Sequence, residues 1–125
     1  MRALILAASM LLVACGGSGD RPALLALGAD VYVQSCLRCH GRDGGGGQGP
    51  ALEEVELDWP GCTDMIEWIS VGSNAWPSPV YGARAKPVNG GMGGFGDLLS
   101  EAELAGVAAY VRAEFGGVTD TVGCA

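Results

Sequence analysis

The sequence predicts an all-α fold with three or more helices, and three observations support this. A segment from Ser100 has apolar residues at helical spacing, and Ser100 with Glu103 forms a capping box at its start. A second helical pattern begins near Pro22. No stretch shows the apolar–polar alternation of a half-buried strand. The expected structure is therefore a set of helices joined by irregular, glycine-rich segments.

The first residues are typical of an export signal. Met1 and Arg2 precede an apolar stretch at 3–14 that is too short to cross a bilayer as a helix. Its end, Leu12-Val13-Ala14-Cys15, resembles a bacterial lipobox, in which the cysteine is lipidated. We therefore predict a lipoprotein signal peptide at 1–14, a flexible tether at 15–21 and one domain at 22–125. An ordinary signal peptide with an incidental Cys15 is the alternative.

The charge balance limits the partners. The chain has 14 acidic and 7 basic residues, a net charge of −7, and losing Arg2 with the leader would make it −8. Such an acidic chain is not expected to bind nucleic acid. Lys86 is its only lysine, so a ring of lysines cannot form a docking surface. A partner that docks electrostatically is expected to be basic.

The first helix of the domain is predicted to run from Pro22, since proline suits the first helical position, to about Cys36. Gly28 lies on its apolar stripe. Glycine weakens a helix, so its presence there indicates the close approach of another helix.

The run Cys36-Leu37-Arg38-Cys39-His40 carries the chemistry. In an exported protein, Cys-x-x-Cys-His is typical of c-type haem attachment, with two thioethers and a histidine ligand to iron. A redox Cys-x-x-Cys pair needs no such histidine and usually lies in a βαβ context. A closed zinc site needs about four ligands, and the remaining cysteines of the domain, Cys62 and Cys124, stand alone. One covalent haem c per chain is therefore predicted.

The next segment, 41–50, contains six glycines and predicts a loop that wraps closely over another group. A phosphate-binding loop would need a preceding strand and a closing Gly-Lys-Ser/Thr, and both are missing. Pro50 has no N–H, and its carbonyl is expected to accept a hydrogen bond from His40 Nδ1, which would fix the imidazole. Leu52 is expected to lie against the porphyrin.

The middle of the chain contains an acidic stretch at 53–58, interpreted as solvated surface, and a turn at 59–61. A short helix is predicted from Thr63, as N-cap, to about Val71. Little regular structure is expected at 73–98. Four side chains of this segment are candidates for the haem edge or for ordinary surface packing: Trp76, Tyr81, Arg84 and Lys86.

The second iron ligand is predicted from the methionines, because His40 is the only histidine. Met65 lies on the apolar side of the short helix, where a methionine usually packs in the core. Met92 lies among five glycines at 89–96 and has no helix face to serve. We predict His40 and Met92 as axial ligands, a pairing that raises the reduction potential. Water or an open sixth site is the alternative.

Cys62 and Cys124 are expected to form a disulfide, because unpaired thiols tend to pair in an oxidising compartment. The alternative is a buried thiol at Cys62 and a loose tail at Cys124.

Together these motifs resemble the class I cytochromes c of the small bacterial monohaem type. The resemblance spans 22–117 and rests on four parts: Gly28-x3-Tyr32 before Cys36-x-x-Cys39-His40-Gly41, Gly49-Pro50-Ala51-Leu52, Met92 with Phe95-Gly96, and the helix from Leu99 with Ala109 to Arg112. It implies an all-α fold around one haem, with the first and last helices crossing. The family often has proline after the axial methionine, whereas Gly93 stands here, which implies a softer loop.

The resemblance also implies a function, that of a one-electron carrier and not an enzyme. It would be tethered to a bacterial membrane on the periplasmic side, with respiratory redox proteins as partners and no small-molecule substrate. Two alternatives stay open. One is a haem-based ligand sensor or weak peroxidase. The other is the subunit through which electrons enter a larger respiratory enzyme, in which case Trp59, Trp68 or Trp76 would lie at an interface.

Overall fold

A computed structural model describes residues 20–124 of the chain, which are mainly helical. The predicted signal peptide, Cys15 and most of the predicted tether lie outside the described residues. The helices are α1 (Asp20–Val31), α2 (Leu37–His40), α3 (Val55–Asp58), α4 (Cys62–Val71) and α5 (Glu101–Glu114), and a π-helical segment (Tyr32–Cys36) joins α1 to α2. None of the helices in this range has the length and hydropathy to cross a membrane.

The first helix is longer than predicted. It begins at Asp20, so that Asp20 and Arg21, assigned to the tether, form its first turn, and it continues through the π-helical segment to His40. Gly41 ends it with φ +83°, a backbone conformation that favours glycine, and its N–H donates to Leu37 O at 2.8 Å. The helix therefore carries the whole Cys-x-x-Cys-His run on one rigid element.

The last helix, α5, begins as predicted. The Ser100 hydroxyl accepts a hydrogen bond from Glu103 N–H at 3.2 Å, and the Glu103 carboxylate accepts one from Ser100 N–H at 2.8 Å. This reciprocal capping box satisfies two N–H groups at the start of the helix. The hydrogen bond from the Ser100 backbone also lowers the pKa of the Glu103 carboxyl.

α1 and α5 cross at two glycines. A Cβ added to Gly28 would overlap the Gly106 carbonyl and lie 2.7 Å from Tyr110 Cβ. One turn further along, the Tyr32 ring lies 5.6 Å from Tyr110 and 5.1 Å from Phe115, centroid to centroid. The close helix approach predicted from Gly28 is confirmed, and the all-α fold with crossed terminal helices is the one that the sequence predicted.

The core is built around α5, which packs against both α1 and α4. Tyr32 is 1 % exposed, and its hydroxyl donates to Gly41 O at 2.5 Å. Burial raises the pKa of Tyr32 to about 12, so the hydroxyl stays protonated as a donor. Buried apolar side chains from all three helices belong to the same core cluster as Tyr32: Val31, Met65, Ile69, Leu104, Val107 and Val111.

The prediction of Thr63 as a helix N-cap was wrong, whereas the prediction of little regular structure at 73–98 is confirmed apart from one short ladder. α4 begins at Cys62, with Gly61 as its N-cap and no side-chain cap, because Cys62 is buried in the core while Thr63 is exposed. Within the segment expected to be irregular, β1 (Val80–Tyr81) and β2 (Lys86–Pro87) form a small antiparallel ladder. A residue outside the ladder fixes the turn between these strands, because Ala83 N–H donates a hydrogen bond to Asp58 O at 2.8 Å.

Candidate haem site

A cavity of about 580 Å³ lies beside α2 and reaches the loop that carries Met92. Its size is that of a pocket for an organic ligand or cofactor. The six residues that the sequence predicted to contact the haem all line it: Cys36, Cys39, His40, Pro50, Leu52 and Met92. Residues from both halves of the chain therefore converge on one cavity.

The two thiols of the motif are free, with Cys36 half-buried and Cys39 exposed. Burial raises the pKa of the Cys36 thiol to about 11, and the neighbouring Cys39 thiol adds to the effect. Reactive Cys-x-x-Cys dithiols work through a thiolate of lowered pKa. The environment of Cys36 therefore does not favour dithiol exchange.

His40 is fixed by the backbone. Its Nδ1 lies 2.9 Å from Pro50 O. A carbonyl oxygen can only accept, so the proton of the neutral imidazole is on Nδ1. This leaves the Nε2 lone pair available to a metal, which is the arrangement that orients ligating histidines in proteins.

The glycine-rich loop folds back onto α2 through main-chain hydrogen bonds. Gly46 N–H donates to His40 O at 2.8 Å, and Gly49 N–H donates to Cys39 O at 2.9 Å. A Cβ at Gly49 would lie 3.0–3.3 Å from three atoms of the His40 ring. Glycine at this position therefore lets the loop pack directly against the imidazole.

Met92 is half-buried, and residues just after α4 hold its backbone. Ser73 Oγ accepts a hydrogen bond from Met92 N–H at 3.0 Å, and Asn74 N–H donates to Met92 O at 3.2 Å. Asn74 Oδ1 also accepts from Gly91 N–H at 2.7 Å. Sequence reasoning missed Ser73 and Asn74, because their partners lie 17 and 19 residues away in the chain.

The cavity wall includes a buried carboxylate that sequence reasoning placed at the surface. Asp58 is 6 % exposed. It accepts hydrogen bonds from Arg84 Nε at 2.7 Å, Arg84 Nη2 at 2.9 Å and Lys86 Nζ at 2.8 Å. The Arg84 hydrogen bond is the main cause of a lowered Asp58 pKa, against the opposing effect of burial. The interpretation of 53–58 as solvated surface was therefore wrong for Asp58, whose partners lie 26 and 28 residues away.

The four candidates for the haem edge divide into two pairs. Tyr81 and Lys86 line the cavity. Arg84 instead binds Asp58 and Glu54, and the Trp76 indole N–H donates to Val80 O at 3.1 Å.

The Arg112 side chain binds the backbone of the turn behind the cavity wall. Sequence reasoning assigned this residue no role. The side chain is 2 % exposed. It donates to Trp59 O at 3.2 Å, to Pro60 O at 2.9 Å and to Cys62 Sγ at 3.3 Å. α5 thereby holds the turn that places Trp59 at the cavity.

Cys62 and Cys124 form a disulfide in the structure, with their Cα atoms 4.9 Å apart. Cys124 is 2 % exposed, so the end of the described chain packs on the core and is not a loose tail. The covalent link lies next to Arg112.

The residues of the cavity fit a covalently bound haem. A c-type haem needs two thiols for attachment and side-chain ligands for its iron, within largely apolar surroundings. The helix offers the two thiols and an imidazole, and a loop fixed by hydrogen bonds offers a thioether. Within residues 20–124, no three His, Cys, Asp or Glu side chains cluster as they would in a metal site built from protein alone.

Comparisons with known proteins identify the family of this chain. The sequence model of the family described as cytochrome c oxidase, cbb3-type, subunit III matches residues 23–111. The cbb3-type cytochrome c oxidase subunit FixP of Azorhizobium caulinodans is 32 % identical over 99 residues, which are 73 % of this chain and 31 % of that protein. FixP of Bradyrhizobium diazoefficiens is 36 % identical over 99 residues, 73 % of this chain and 32 % of that protein. The chain thus spans about a third of these relatives.

Solved structures share the fold. Cytochrome cL of Methylophaga aminisulfidivorans superposes with a TM-score of 0.53 at 22 % identity, over 77 % of this chain and 55 % of that one. Cytochrome cL of Hyphomicrobium denitrificans gives a TM-score of 0.54 at 24 % identity, over 83 % of this chain and 59 % of that one. The chain therefore belongs to the cytochrome c family of cbb3-type oxidase subunit III, with a class I cytochrome c fold and one covalently bound haem c.

Proposed function

We propose that this protein is a one-electron carrier whose single haem has His40 and Met92 as axial ligands. The observation that carries the proposal is the shared cavity, which His40 and Met92 both line. His40 is held by Pro50 O at 2.9 Å, and Met92 is held by Ser73 Oγ at 3.0 Å. Each candidate ligand is thus positioned by a neighbour, and neither depends on the other for its place.

Each residue has a defined role in this proposal. Cys36 and Cys39 attach the macrocycle covalently, and bound haem c supplies a ferric–ferrous couple. The His40 imidazole, protonated on Nδ1, offers Nε2 to the iron. The Met92 thioether is a soft, neutral donor that favours the ferrous state and raises the potential. With both axial positions filled by side chains, the protein needs no acid, base or nucleophile.

The buried part of the cavity wall supports electron transfer because it is largely apolar. Val55 and Trp59 line the cavity and are each 5 % exposed. A rigid apolar environment reorganises little when the charge of the iron changes. The one buried carboxylate of the wall, Asp58, is neutralised by Arg84 and Lys86.

The proposed setting is the periplasmic side of a bacterial membrane, with Cys15 as a lipid anchor and respiratory redox proteins as partners. Two FixP proteins, named as cbb3-type oxidase subunits, support a respiratory role. A tether would hold the carrier at the membrane and raise its effective concentration near membrane-bound partners.

The near-infrared spectrum of the ferric holoprotein tests the ligand assignment. A thioether–iron charge-transfer band is expected in the parent and absent in Met92→Ala. Met65→Leu is the control, because Met65 is 4 % exposed in the core and does not line the cavity. It should keep the band. A parent without the band would exclude this ligand pair and favour ligand binding at an open iron. A Met92→Ala protein that retains the band would exclude Met92 and point to Met65 as the thioether ligand.

A second candidate is the subunit through which electrons enter a larger oxidase, because both FixP relatives are named as oxidase subunits. Affinity purification of the full chain from native membranes separates the two functions. A stoichiometric oxidase that survives washing would favour the subunit, and a purified cytochrome alone would favour the free carrier.

A further inference from the structure

Four aromatic side chains form a continuous array in the region of α4 and the small β-ladder. The Trp68 ring lies 4.4 Å from Tyr81 and 5.5 Å from Trp59, and Trp59 lies 5.9 Å from Tyr81, centroid to centroid. Trp76 extends the array, with its centroid 5.1 Å from Trp68 in an edge-on arrangement. Each pair lies within the separation typical of interacting rings.

The array begins at the haem cavity and ends near the surface. Trp59, Trp68 and Tyr81 line the cavity, whereas Trp76 does not. Trp76 is half-buried and flanked by the exposed residues Ala75 and Pro77. Its indole N–H donates to Val80 O at 3.1 Å, which fixes the ring. The four rings therefore span the protein shell between the proposed haem and solvent.

The packing of this array has a physical consequence for electron transfer. Tunnelling weakens steeply across gaps between non-bonded atoms, and it weakens less across the π-systems of aromatic rings. Within the array, Trp76 contacts Trp68 and neither Trp59 nor Tyr81. Removing the Trp68 ring would leave a gap in the middle of the array.

We propose that Trp68 and Trp76 form an electron-transfer path that joins the haem to the protein surface beside Ala75. The proposal rests on the proposed function, because it requires a redox-active haem in the cavity. The ferrous iron loses one electron, an acceptor at the surface gains it, and no proton is transferred. An indole is much harder to oxidise than a ferrous haem, so the rings act as a bridge and are not themselves oxidised.

Photochemical electron transfer tests this path. Ala75→Cys and Ala102→Cys each place one thiol at an exposed alanine, the first beside Trp76 and the second on α5. That thiol carries a ruthenium polypyridyl label. A laser flash excites the label, and an added quencher takes an electron from it. The oxidised label then accepts an electron from the ferrous haem. The rate is measured at both labels in the parent, in Trp68→Leu and in Trp68→Phe.

The expected result is a several-fold slower reaction at the Ala75 label in Trp68→Leu, partial recovery in Trp68→Phe and an unchanged rate at the Ala102 label. An unchanged rate at Ala75 would overturn the path. An equal fall at both labels would also overturn it, because Trp68 would then act by holding the haem. A protein in which the haem does not cycle between ferric and ferrous would contradict the proposed function instead.

Circular dichroism gives a second readout that does not depend on electron transfer. Two indoles in contact produce a coupled pair of bands of opposite sign in the far ultraviolet. Trp68 contacts both Trp59 and Trp76, so we expect the couplet in the parent, its loss in Trp68→Leu and a weaker couplet in Trp76→Leu. A couplet in Trp76→Leu as intense as that of the parent would mean that Trp68 and Trp76 are not paired, and it would remove the basis of the path.

Discussion

Ser73 holds Met92 by the backbone: its hydroxyl oxygen accepts a hydrogen bond from Met92 N–H at 3.0 Å, across 19 residues of chain. Ser73 is itself 7 % exposed, so water cannot easily replace it. This contact offsets the softness expected of a loop in which Gly93, and not proline, follows the methionine.

The first prediction concerns this contact. Ser73→Ala leaves the half-buried Met92 N–H without its partner, which costs about 1 kcal/mol. Met92 should then leave the iron more readily, and carbon monoxide should bind the reduced protein several-fold faster. Ser78→Ala is the matched control, because the Ser78 hydroxyl accepts from Val80 N–H and not from the Met92 loop. Equal rates in the two variants would show that Ser73 does not hold the ligand.

The second prediction concerns the helix crossing. Gly28→Ala should destabilise the protein by about 2 kcal/mol, because overpacking against the Gly106 backbone outweighs the better helix propensity of alanine. Guanidinium unfolding of the holoprotein measures the change. Gly61→Ala is the control, since a Cβ at Gly61 meets nothing within 4 Å and its φ is −123°. A Gly28→Ala protein as stable as the control would mean that α1 and α5 do not approach this closely.

The third prediction concerns Asp58 and acid stability. The folded pKa of Asp58 lies below its ordinary value. Its contribution to stability is therefore present above the unfolded pKa, about 3.9, and is lost as the pH falls through the folded pKa. Asp58→Asn should lower the free energy of unfolding at neutral pH by about 2 kcal/mol, and it should flatten the decline of stability in acid.

Glu54→Gln is the control for that experiment. It removes the same charge from the same Arg84, but the Glu54 side chain is 67 % exposed against 7 % for Asp58. Exposed pairs contribute little, so the acid profile of Glu54→Gln should match that of the parent. If the two variants behave alike, the Asp58 pairing is no stronger than a surface contact.

The fourth prediction concerns the disulfide. Cys62 and Cys124 are 62 residues apart, and closing a loop of that length is worth about 4 kcal/mol in the chain-entropy model. The double variant Cys62→Ala/Cys124→Ala should therefore unfold at much lower denaturant concentration than the parent. Dithiothreitol should lower the stability of the parent toward that of the double variant and leave the double variant unchanged. No effect of reductant on the parent would argue that the bridge is not formed.

The sequence was sufficient for features that depend on local pattern. The capping box at Ser100 and the helix approach at Gly28 follow from residues a few positions apart. The fold around the haem follows from helical spacing and from the resemblance across 22–117. The His40–Pro50 contact also joins neighbours, ten residues apart.

Features that depend on distant partners could not be predicted in this way. The burial of Asp58 requires Arg84 and Lys86, which a two-stranded ladder brings to it. The support of Met92 by Ser73 and the role of Arg112 at Trp59 join segments 19 and 53 residues apart. The five residues of the π-helical segment, Tyr32–Cys36, show no pattern that would predict a π-helix.

The contact between His40 and Pro50 also has a consequence for the order of folding. One side of the site is built within the short segment 36–50, where closing the loop costs little entropy. The Met92 side needs contacts across much longer stretches of chain, which form more slowly. We therefore expect a maturing chain to hold its haem through the thioethers and His40 first. In the proposed ligation, Met92 would join the iron as one of the last steps, when α4 and the segment after it reach their final positions.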